Sequence, residues 1–253
     1  MRPSIRPVSL QVIGICAEKS HWIGPSGTQG LILGFGFVGR QAESLVHLFQ
    51  EKARGDGGLM FKKATDKRVA VFLADGLEEV EGLTIVDLLF RAGIPCDIVS
   101  VSRSREVISS HRVALVCDCT VYDDDFSFDD YDMLVLPGGI PGTPNLKACD
   151  SLIDALARFA EDGRQIAAIC AAPSILAELG LLTSRRATSN PNFQHVLAEH
   201  GAKLCEHDPV VVDGNIITSQ GMGTAIAFGL QIVRHFLGDT AVDRVSSGIV
   251  LHP

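Results

Sequence analysis

The stretch QIAAICAAPSILAELG, residues 165–180, joins a short apolar run to a helix-forming segment through two alanines and a proline. Ala171 and Ala172 are small enough for a tight turn, and Pro173 suits the first turn of a helix, where its missing N–H costs little. A strand that bends sharply into a helix exposes the residue at the bend. The stretch therefore predicts an α/β fold with Cys170 at a nucleophile elbow, although a buried cysteine is also common core filling.

From Lys67 onward the chain alternates between short apolar runs and segments with helical spacing. Continuous apolar runs suit strands that are buried on both faces of a sheet. Repetition of strand, helix and strand predicts a doubly wound, mainly parallel sheet with helices on both faces. The predicted strands include RVAVFLA (68–74), CDIVSVS (96–102), MLVLP (133–137) and QIAAI (165–169).

Two helical segments carry an apolar stripe and stop at a glycine, as helices facing a sheet commonly do. They are EVEGLTIVDLLFRAG (79–93), with the stripe Leu83, Val86 and Phe90, and DSLIDALARFAEDG (150–163), with the stripe Leu152, Leu156 and Phe159.

The C-terminal part predicts a hairpin followed by a long helix. VVVDGNIITS (210–219) places two β-rich runs around Asp213-Gly214, a strong hairpin signal, so a small antiparallel element is expected. TAIAFGLQIVRHFLG (224–238) then predicts the last long helix, with Thr224 as its N-cap.

The first 59 residues differ from the rest in charge. They hold six Lys/Arg and four acids, a balance of +2, so the remainder of a chain with net charge −8 carries −10. ARGDGGLMFKKATDK (53–67) reads as a linker, which predicts an extension over 1–59 and an α/β domain over 60–253. A misassigned start, a disordered tail and a targeting segment remain open, in that order. The expected location is the cytoplasm, or an organelle if residues 1–17 act as a transit peptide.

The extension contains Gly34-x-Gly36-x-x-Gly39 before a plausible helix, a pattern that lets a backbone approach a dinucleotide pyrophosphate. Only Leu31 to Leu33 precede it as a strand, and the next convincing strand belongs to the following domain. The context is therefore poor, and no NAD or other cofactor is predicted.

Composition narrows the classes of ligand. A net charge of −8 and a pI near 5.4 disfavour a stable nucleic-acid complex, and no apolar run approaches the ~20 residues of a membrane span. Seven cysteines without a CxxC pair indicate reduced thiols. Strand alternation would put Cys117 and Cys119 on one face, but a zinc site needs about four ligands, so no metal site is predicted.

Three motifs are expected at the carboxyl edge of the sheet, where such folds bind ligands. They are VFLADGLEEVE (71–81), LVLPGGIPG (134–142) and AAICAAP (167–173). Gly138 and Gly139 would expose backbone N–H groups beside a bend, and the N–H after the nucleophile, that of Ala171, is the usual second oxyanion donor. A helix N-terminus beside Cys170 would lower the pKa of the thiol.

The chain resembles the ThiJ/PfpI superfamily, in particular the branch that contains the Parkinson-associated protein deglycase and its bacterial relatives. LADGLEEVE (73–81), YDMLVLPGG (131–139), AAICAAP (167–173) and TSQGMGTA (218–225) occur in the family's order and spacing. The resemblance implies a flavodoxin-like α/β sandwich, usually homodimeric, with Cys170 as the reactive cysteine.

The resemblance also implies roles for other residues. Glu81 would be the acid that is held protonated and bonds the sulfur, Gly139 and Ala171 would be the backbone donors, and Asp87 and Arg91 would lie near the dimer contact. Glu78 and Glu79 are interpreted instead as acids that favour the first helical turn through its dipole, without chemistry.

One departure concerns the segment ATSNPNF (187–193), in which Asn190 precedes Pro191. Well-known family members have a histidine before this proline. With Gly138, Asn190 and Pro191 are expected to border the binding site, but Asn190 cannot shuttle protons. A mechanism that needs a histidine base would recruit His195 or use Glu81, although His195 fits better as a solvated surface residue.

Two functions from different classes follow. In the first, resemblance implies a deglycase or glutathione-independent glyoxalase: Cys170 attacks a small 2-oxoaldehyde, or its early adduct on a protein, amine or thiol. In the second, Cys170 oxidises to a sulfinate, and the protein is a redox-responsive chaperone or stress sensor. A glutamine amidotransferase is set aside, because it needs a late His-x-Glu pair that this chain lacks.

Overall fold

A computed structural model describes residues 19–23, 29–33 and 61–251. The chain divides into two compact units, Met1–Met60 and Phe61–Pro253. In the first unit, strands β1 (Lys19–Ile23) and β2 (Gln29–Leu33) pair antiparallel, with Lys19 opposite Leu33. Gly34, Gly36 and Gly39 of the glycine motif lie outside the described residues.

The second unit is built on one seven-stranded sheet with two small sheets beside it. Its strands, in chain order, are β3 (Val69–Leu73), β4 (Cys96–Ser100), β5 (Glu106–Ile108), β6 (Ala114–Val116), β7 (Cys119–Thr120), β8 (Met133–Leu136), β9 (Gln165–Ile169), β10 (Arg186–Ala187), β11 (Lys203–Leu204), β12 (Val210–Asp213) and β13 (Ile216–Ser219). The order in the large sheet is β12-β13-β9-β8-β3-β4-β7. All neighbours are parallel except β12 and β13, so the predicted mainly parallel, flavodoxin-like fold is confirmed.

Helices cover both faces of this sheet. They are α1 (Glu79–Ala92), α2 (Gly142–Lys147), α3 (Asp150–Glu161), α4 (Pro173–Glu178), α5 (Gln194–Glu199), α6 (Ala225–Leu237) and α7 (Asp239–Gly248). Helix α1 ends at Gly93, whose φ of 83° allows the left-handed cap that glycine favours. Short 3-10 turns span Phe128–Asp130, Pro191–Phe193 and Met222–Thr224.

The core has two layers because successive strand residues point to opposite faces. Ala70 and Phe72 of β3 pack with α3 and α4, whereas Val69, Val71 and Leu73 pack with α1, α6 and α7. The central strands β3, β8 and β9 are thus buried on both faces, which explains their continuous apolar runs.

The predicted stripe of α3 is confirmed, since Leu152, Leu156 and Phe159 are at most 1% exposed. The stripe predicted for α1 is wrong as a core face, because Leu83 and Phe90 are 39% and 40% exposed. Helix α1 is apolar on two sides, and it packs against the sheet through the side formed by Ile85, Leu88 and Leu89.

The C-terminal hairpin is confirmed, with Asp213 opposite Ile216. Its two turn residues are therefore Gly214 and Asn215, one position later than the predicted Asp213-Gly214, and Gly214 supplies the positive φ of 59°.

The expectation that Cys117 and Cys119 share a face is wrong. Strand β7 begins at Cys119, so strict alternation does not extend back to Cys117. Cys117 lies in the core layer on the α1 side, and Cys119 packs against the opposite layer.

Candidate active site

Cys170 lies at the bend that joins β9 to α4. The strand ends at Ile169 and the helix begins at Pro173, which occupies the first helical turn as the sequence predicts. Cys170 has a φ of 66°, a left-handed conformation that costs a residue with a side chain ~1–2 kcal/mol. Two backbone hydrogen bonds fix this conformation, from Cys170 N–H to Ser219 O (3.0 Å) and from Asn190 N–H to Cys170 O (2.8 Å). Neighbouring structure thus holds the sulfur in a strained position.

The loop after β8 approaches this bend so closely that only glycine fits. A Cβ at Gly138 would lie 2.6 Å from the Cys170 Cβ, and one at Gly139, whose φ is 102°, would lie 2.3 Å from Glu78 N. The backbone N–H groups of Gly139 and Ala171 interact with the Cys170 sulfur. The N–H of Gly138 is not free for substrate, contrary to the expected open pair of amides, because it donates to Glu81 Oε2 (2.8 Å).

Glu81 reaches the site from the first turn of α1 and is completely buried. Its Oε2 accepts the Gly138 N–H, whereas Oε1 accepts no hydrogen bond from any described residue, although the carboxyl group interacts with the Cys170 thiol. Burial raises the pKa of Glu81 to about 7, against the lowering effect of these two contacts, and the nearby charge of Glu78 raises it further. An acid with this pKa is about half protonated at neutral pH, which is compatible with the protonated Glu81 that the resemblance implies.

The elbow alone does not activate the thiol, so the expectation based on a helix N-terminus is wrong. Helix α4 has six residues and begins three positions after Cys170. Burial and the neighbouring Glu81 carboxylate raise the pKa of Cys170 to about 12, although the amides of Ala171 and Gly139 lower it. Proton transfer between Glu81 and Cys170 therefore decides whether a thiolate forms.

A small space beside Gly221 brings three polar groups together. A Cβ at this glycine would lie 3.6 Å from Asn190 Nδ2, 3.8 Å from Glu81 Oε1 and 3.9 Å from Cys170 Sγ. Asn190 thus borders the site, with its Oδ1 accepting from Asn192 N–H (3.1 Å). Gly221 was missed as a site residue, although it lies within the quoted TSQGMGTA motif.

Other sequence-predicted residues lie around this centre or away from it. Pro191 is exposed at the start of its 3-10 turn, and His195 is exposed on α5, as expected of a surface residue. Asp87 and Arg91 are exposed on α1 and pair with each other (2.7 Å).

Thr224 precedes α6, but its hydroxyl does not cap that helix. The hydroxyl instead donates to Gly221 O (2.9 Å) and accepts from Gly221 N–H (3.0 Å). Thr224 therefore fixes the loop that borders the space beside Cys170.

Sequence reasoning also missed His111, which follows β5 in the loop before β6. Its Nδ1 lies 3.0 Å from Glu79 Oε1 and 3.9 Å from Glu78 Oε2. In the part of the chain that the structure describes, these three side chains form the single cluster that offers carboxylate and imidazole ligand atoms to a metal ion within 4.8 Å of one another. The interpretation of Glu79 as a dipole partner alone is therefore incomplete.

The fold and site define a class: an α/β sandwich with a cysteine at a strained elbow, facing a buried carboxylic acid. Residues 67–235 match the model of the DJ-1/PfpI family. The chain belongs to this family, which confirms the resemblance seen in its motifs.

Known relatives agree with this assignment. The chain is 37% identical over 188 residues to protein DJ-1 homolog A of Arabidopsis thaliana, covering 74% of this chain and 47% of the relative, so it spans about half of that relative's length. It is 32% identical over 173 residues to the glutathione-independent glyoxalase DJ-1 of Schizosaccharomyces pombe, covering 66% of this chain and 89% of the relative. The crystal structure of Drosophila melanogaster DJ-1beta matches with a TM-score of 0.69 and 33% identity, covering 75% of this chain and all of that one.

Among the described residues, no helix combines the length and the apolar character that crossing a bilayer requires.

Proposed function

We propose that this protein is a cysteine-dependent hydrolase of small 2-oxoaldehydes, such as methylglyoxal, and of their early adducts on proteins, amines and thiols. The observation that carries the proposal is the pairing of Cys170, at a strained elbow, with a buried Glu81 whose pKa is raised to about 7. The name of the Schizosaccharomyces pombe relative, a glutathione-independent glyoxalase, supports the same class of substrate.

The proposal needs the negative charge of the pair to lie on sulfur. As a carboxylate, Glu81 would offer its buried Oε1 to no donor of the described residues except the Cys170 thiol, and a thiol is a weak donor for a charged oxygen. A proton on Oε1 gives this atom a hydrogen bond to donate to the sulfur, and the Gly139 and Ala171 amides donate to the sulfur as well. We therefore infer a protonated Glu81 beside a Cys170 thiolate, since protonation of Glu81 removes the carboxylate charge that helps to raise the pKa of Cys170.

The reaction is an internal oxidation and reduction followed by hydrolysis. The thiolate adds to the aldehyde carbon, and the oxyanion is stabilised by the amides of Gly139 and Ala171 and takes a proton from Glu81. A proton then leaves this carbon and one is added to the neighbouring carbonyl carbon, which gives a thioester of a 2-hydroxy acid. Water cleaves the C–S bond, so no external oxidant or cofactor is consumed.

Turnover of methylglyoxal to lactate tests this mechanism. Cys170→Ala should abolish turnover, whereas Cys205→Ala, at a partly exposed cysteine on another loop, should leave it unchanged. A Cys170→Ala variant with wild-type turnover would refute the mechanism.

Action on adducts is the finer part of the proposal and needs its own assay. Preformed hemithioacetals and aminocarbinols of methylglyoxal release free aldehyde spontaneously, so consumption must be compared with that rate. The proposed deglycase activity requires adduct loss faster than spontaneous release, and equal rates would restrict the enzyme to free aldehyde.

The second candidate function is a redox-responsive chaperone or sensor that works through Cys170. The same two amides and the protonated Glu81 would bind the oxygens of a sulfinate, because both offer donors at the sulfur. Intact-mass analysis after mild peroxide should show two added oxygen atoms that are absent from Cys170→Ala. No oxygen addition at Cys170 would rule this function out.

We also propose a homodimer that forms through the exposed apolar side of α1 and the start of α6. Val80, Leu83 and Ile226 are 42%, 39% and 41% exposed on these neighbouring helices, and Asp87 lies on the same side as Leu83. Leu83→Glu should convert the dimer to a monomer in sedimentation velocity, whereas Val212→Glu, on edge strand β12, should not. A monomeric wild type would refute the proposal.

The proposed compartment is the reducing cytoplasm. The described cysteines are free thiols, which fits a reducing environment. Imaging the full chain and a variant without residues 2–17, each tagged at the C-terminus, tests this location. An organelle signal that disappears with residues 2–17 would instead support the transit-peptide alternative.

A further inference from the structure

The Asn190 side chain ends beside Cys170 with its amide group held in one orientation. Asn190 precedes the 3-10 turn Pro191–Phe193, and its Oδ1 accepts the Asn192 N–H (3.1 Å). Because only the oxygen of an amide accepts a hydrogen bond, the other end of the group is Nδ2, which faces the space beside Gly221. Nδ2 donates no hydrogen bond to any residue that the structure describes.

Hydrogen bonds fix the walls of this space. Asn190 N–H donates to Cys170 O (2.8 Å), which ties the start of the turn to the elbow. On the Gly221 side, Gly221 N–H donates to Thr224 Oγ1 (3.0 Å), and that hydroxyl donates to Gly221 O (2.9 Å). The amide of Asn190 is therefore in place before a substrate arrives, which is what makes a hydrogen-bond donor effective in a transition state.

The space has room for an additional carbon atom. A Cβ at Gly221 would lie 3.6 Å from Asn190 Nδ2 and 3.9 Å from Cys170 Sγ. Glu81 Oε1 is 3.8 Å from the same point, and apart from the chain neighbours of Gly221 no atom is closer than Asn190 Nδ2. These are ordinary van der Waals distances. The sulfur and Nδ2 thus face one small space, into which the second carbonyl of an aldehyde bonded to the sulfur fits.

The other donors at the sulfur are already used in the proposed reaction. The Gly138 N–H donates to Glu81 Oε2 (2.8 Å). The amides of Gly139 and Ala171 act at the sulfur and, with the Glu81 proton, on the oxyanion of the first carbon. A 2-oxoaldehyde has a second carbonyl, whose oxygen only accepts hydrogen bonds. Of the groups that the described residues place around the sulfur, Asn190 Nδ2 is the donor left for this oxygen.

The charges at the site favour a neutral ligand. Cys170 and Glu81 share one negative charge in the proposed resting state, and the charge of Glu78 also acts on Glu81. No cationic side chain of the described residues acts on the charge of either member of the pair. Asn190 is itself neutral, so it offers a donor to a carbonyl oxygen but no counter-charge to a carboxylate.

We propose that Asn190 Nδ2 donates a hydrogen bond to the 2-oxo oxygen of the substrate, so that the site selects neutral 2-oxoaldehydes over aldehydes without a second carbonyl and over 2-oxo acids. This assignment rests on the proposed function. After the thiolate has added, Glu81 is ionised and takes the proton of the carbon bonded to sulfur. The electron pair of that C–H bond moves toward the second carbonyl, whose oxygen becomes an enolate that Asn190 stabilises. Glu81 then returns the proton to the second carbon while the hydroxyl proton passes from the first oxygen to the second, which gives the thioester.

Steady-state kinetics with methylglyoxal test this role in the wild type, Asn190→Ala, Asn190→Asp and Asn192→Ala. Asn190→Asp keeps an oxygen that accepts the Asn192 N–H, and so keeps the turn, but it replaces the donor by an acceptor. Both Asn190 variants should lower kcat/KM by about 100-fold, within the range for the loss of one transition-state donor. Asn192→Ala is the matched control, since it removes an exposed asparagine side chain and keeps the backbone N–H, and it should resemble the wild type.

A second measurement follows binding and needs no turnover. Methylglyoxal and propanal each form a reversible hemithioacetal with Cys170, which protects the sulfur from iodoacetamide. Asn190→Ala should weaken protection by methylglyoxal about 3- to 10-fold, as expected for one hydrogen bond. Protection by propanal, which has no second carbonyl, should not change. Glyoxylate, an aldehyde with a carboxylate on the next carbon, should protect the wild type more weakly than methylglyoxal does.

The two measurements separate the role of Asn190 from the proposed function. An Asn190→Ala variant with kcat/KM within about twofold of wild type, or an equal loss of protection by methylglyoxal and propanal, would overturn the assignment of Asn190. Protection by glyoxylate as strong as that by methylglyoxal would overturn the selection against anions. A wild type without Cys170-dependent turnover would overturn the proposed function, and the protection by the two aldehydes would still decide whether Asn190 binds the second carbonyl.

Discussion

Replacing Glu81 by glutamine reveals where the pair with Cys170 keeps its single negative charge. Glutamine keeps an oxygen that accepts the Gly138 N–H, and it keeps a donor for the sulfur, but it has no acidic proton. The substitution therefore removes proton sharing while leaving the contacts of a buried side chain largely in place.

The structure sets the size of the expected effect. With Glu81 ionised, the Cys170 thiol has a pKa of about 12, whereas the Glu81 carboxyl loses its proton at about 7. If the remaining charge lies on sulfur, the thiolate appears with the first proton lost by the pair, at or below about 7. If the charge lies on Glu81, the thiolate appears only near 12, which is 12 − 7, or about 5, pH units later.

The assay is the rate of iodoacetamide modification from pH 5 to pH 10, followed by intact mass, with Cys170→Ala as the background for other cysteines. We expect a wild-type midpoint at or below about 7. In Glu81→Gln the midpoint should rise to the ordinary value of ~8.5 or above it, because an amide is a weaker donor than a carboxylic acid and burial still disfavours the thiolate.

The opposite pH dependence of Cys170 modification would refute the proposed location of the charge. A wild-type rate that still increases at pH 10, together with faster modification of Glu81→Gln at neutral pH, would place the charge on Glu81. Cys170 would then be a thiol in the resting protein, and the proposed attack on the aldehyde would lose its nucleophile.

Three further results are expected. Gly138→Ala should lose ~1–3 kcal/mol of stability and most of its turnover, because the new methyl group would lie 2.6 Å from the Cys170 Cβ and 2.9 Å from Glu81 Oε2; calorimetry and the methylglyoxal assay test both effects. Leu152→Ala should lower the free energy of unfolding, measured in urea, by ~2–5 kcal/mol, because this side chain is fully buried. Leu83→Ala should lower it by less, because Leu83 is 39% exposed. Since the native state keeps the Glu81 proton from pH 4.5, the reference value, up to about 7, stability should fall by about 3 kcal/mol across this range, and Glu81→Gln should flatten this part of the pH profile.

Much of the fold could be predicted because the sheet is buried on both faces. Strands such as Val69–Leu73 show their burial directly as apolar runs, and the spacing of Leu152, Leu156 and Phe159 matches one buried face. The same reasoning failed for helix α1. Two sides of this helix are apolar, and residue spacing alone does not show which side packs against the sheet. Contacts across the sheet decide that, and they are not local in sequence.

The candidate site could be predicted where a local motif fixes the backbone. The elbow at Cys170 and the acid at Glu81 belong to motifs that follow β9 and β3, the two strands that flank β8, so the parallel topology brings them to the same edge of the sheet. The pairing of His111 with Glu79 could not be predicted, because it depends on a hairpin that folds back onto the start of α1. The sequence-based prediction that the pKa of Cys170 is lowered was wrong, because burial and the Glu81 charge outweigh the effect of the neighbouring amides.

The site is arranged at a cost to stability, which supports a chemical role for the sulfur. A positive φ at Cys170 is unfavourable, and glycine would adopt it more easily. Glu81 is buried with an oxygen that accepts no hydrogen bond from a described residue, and a core would be more stable with an apolar side chain there. Both features bring an acidic proton and a sulfur together between fixed amides, so stability alone does not explain them, whereas the proposed reaction at the sulfur would.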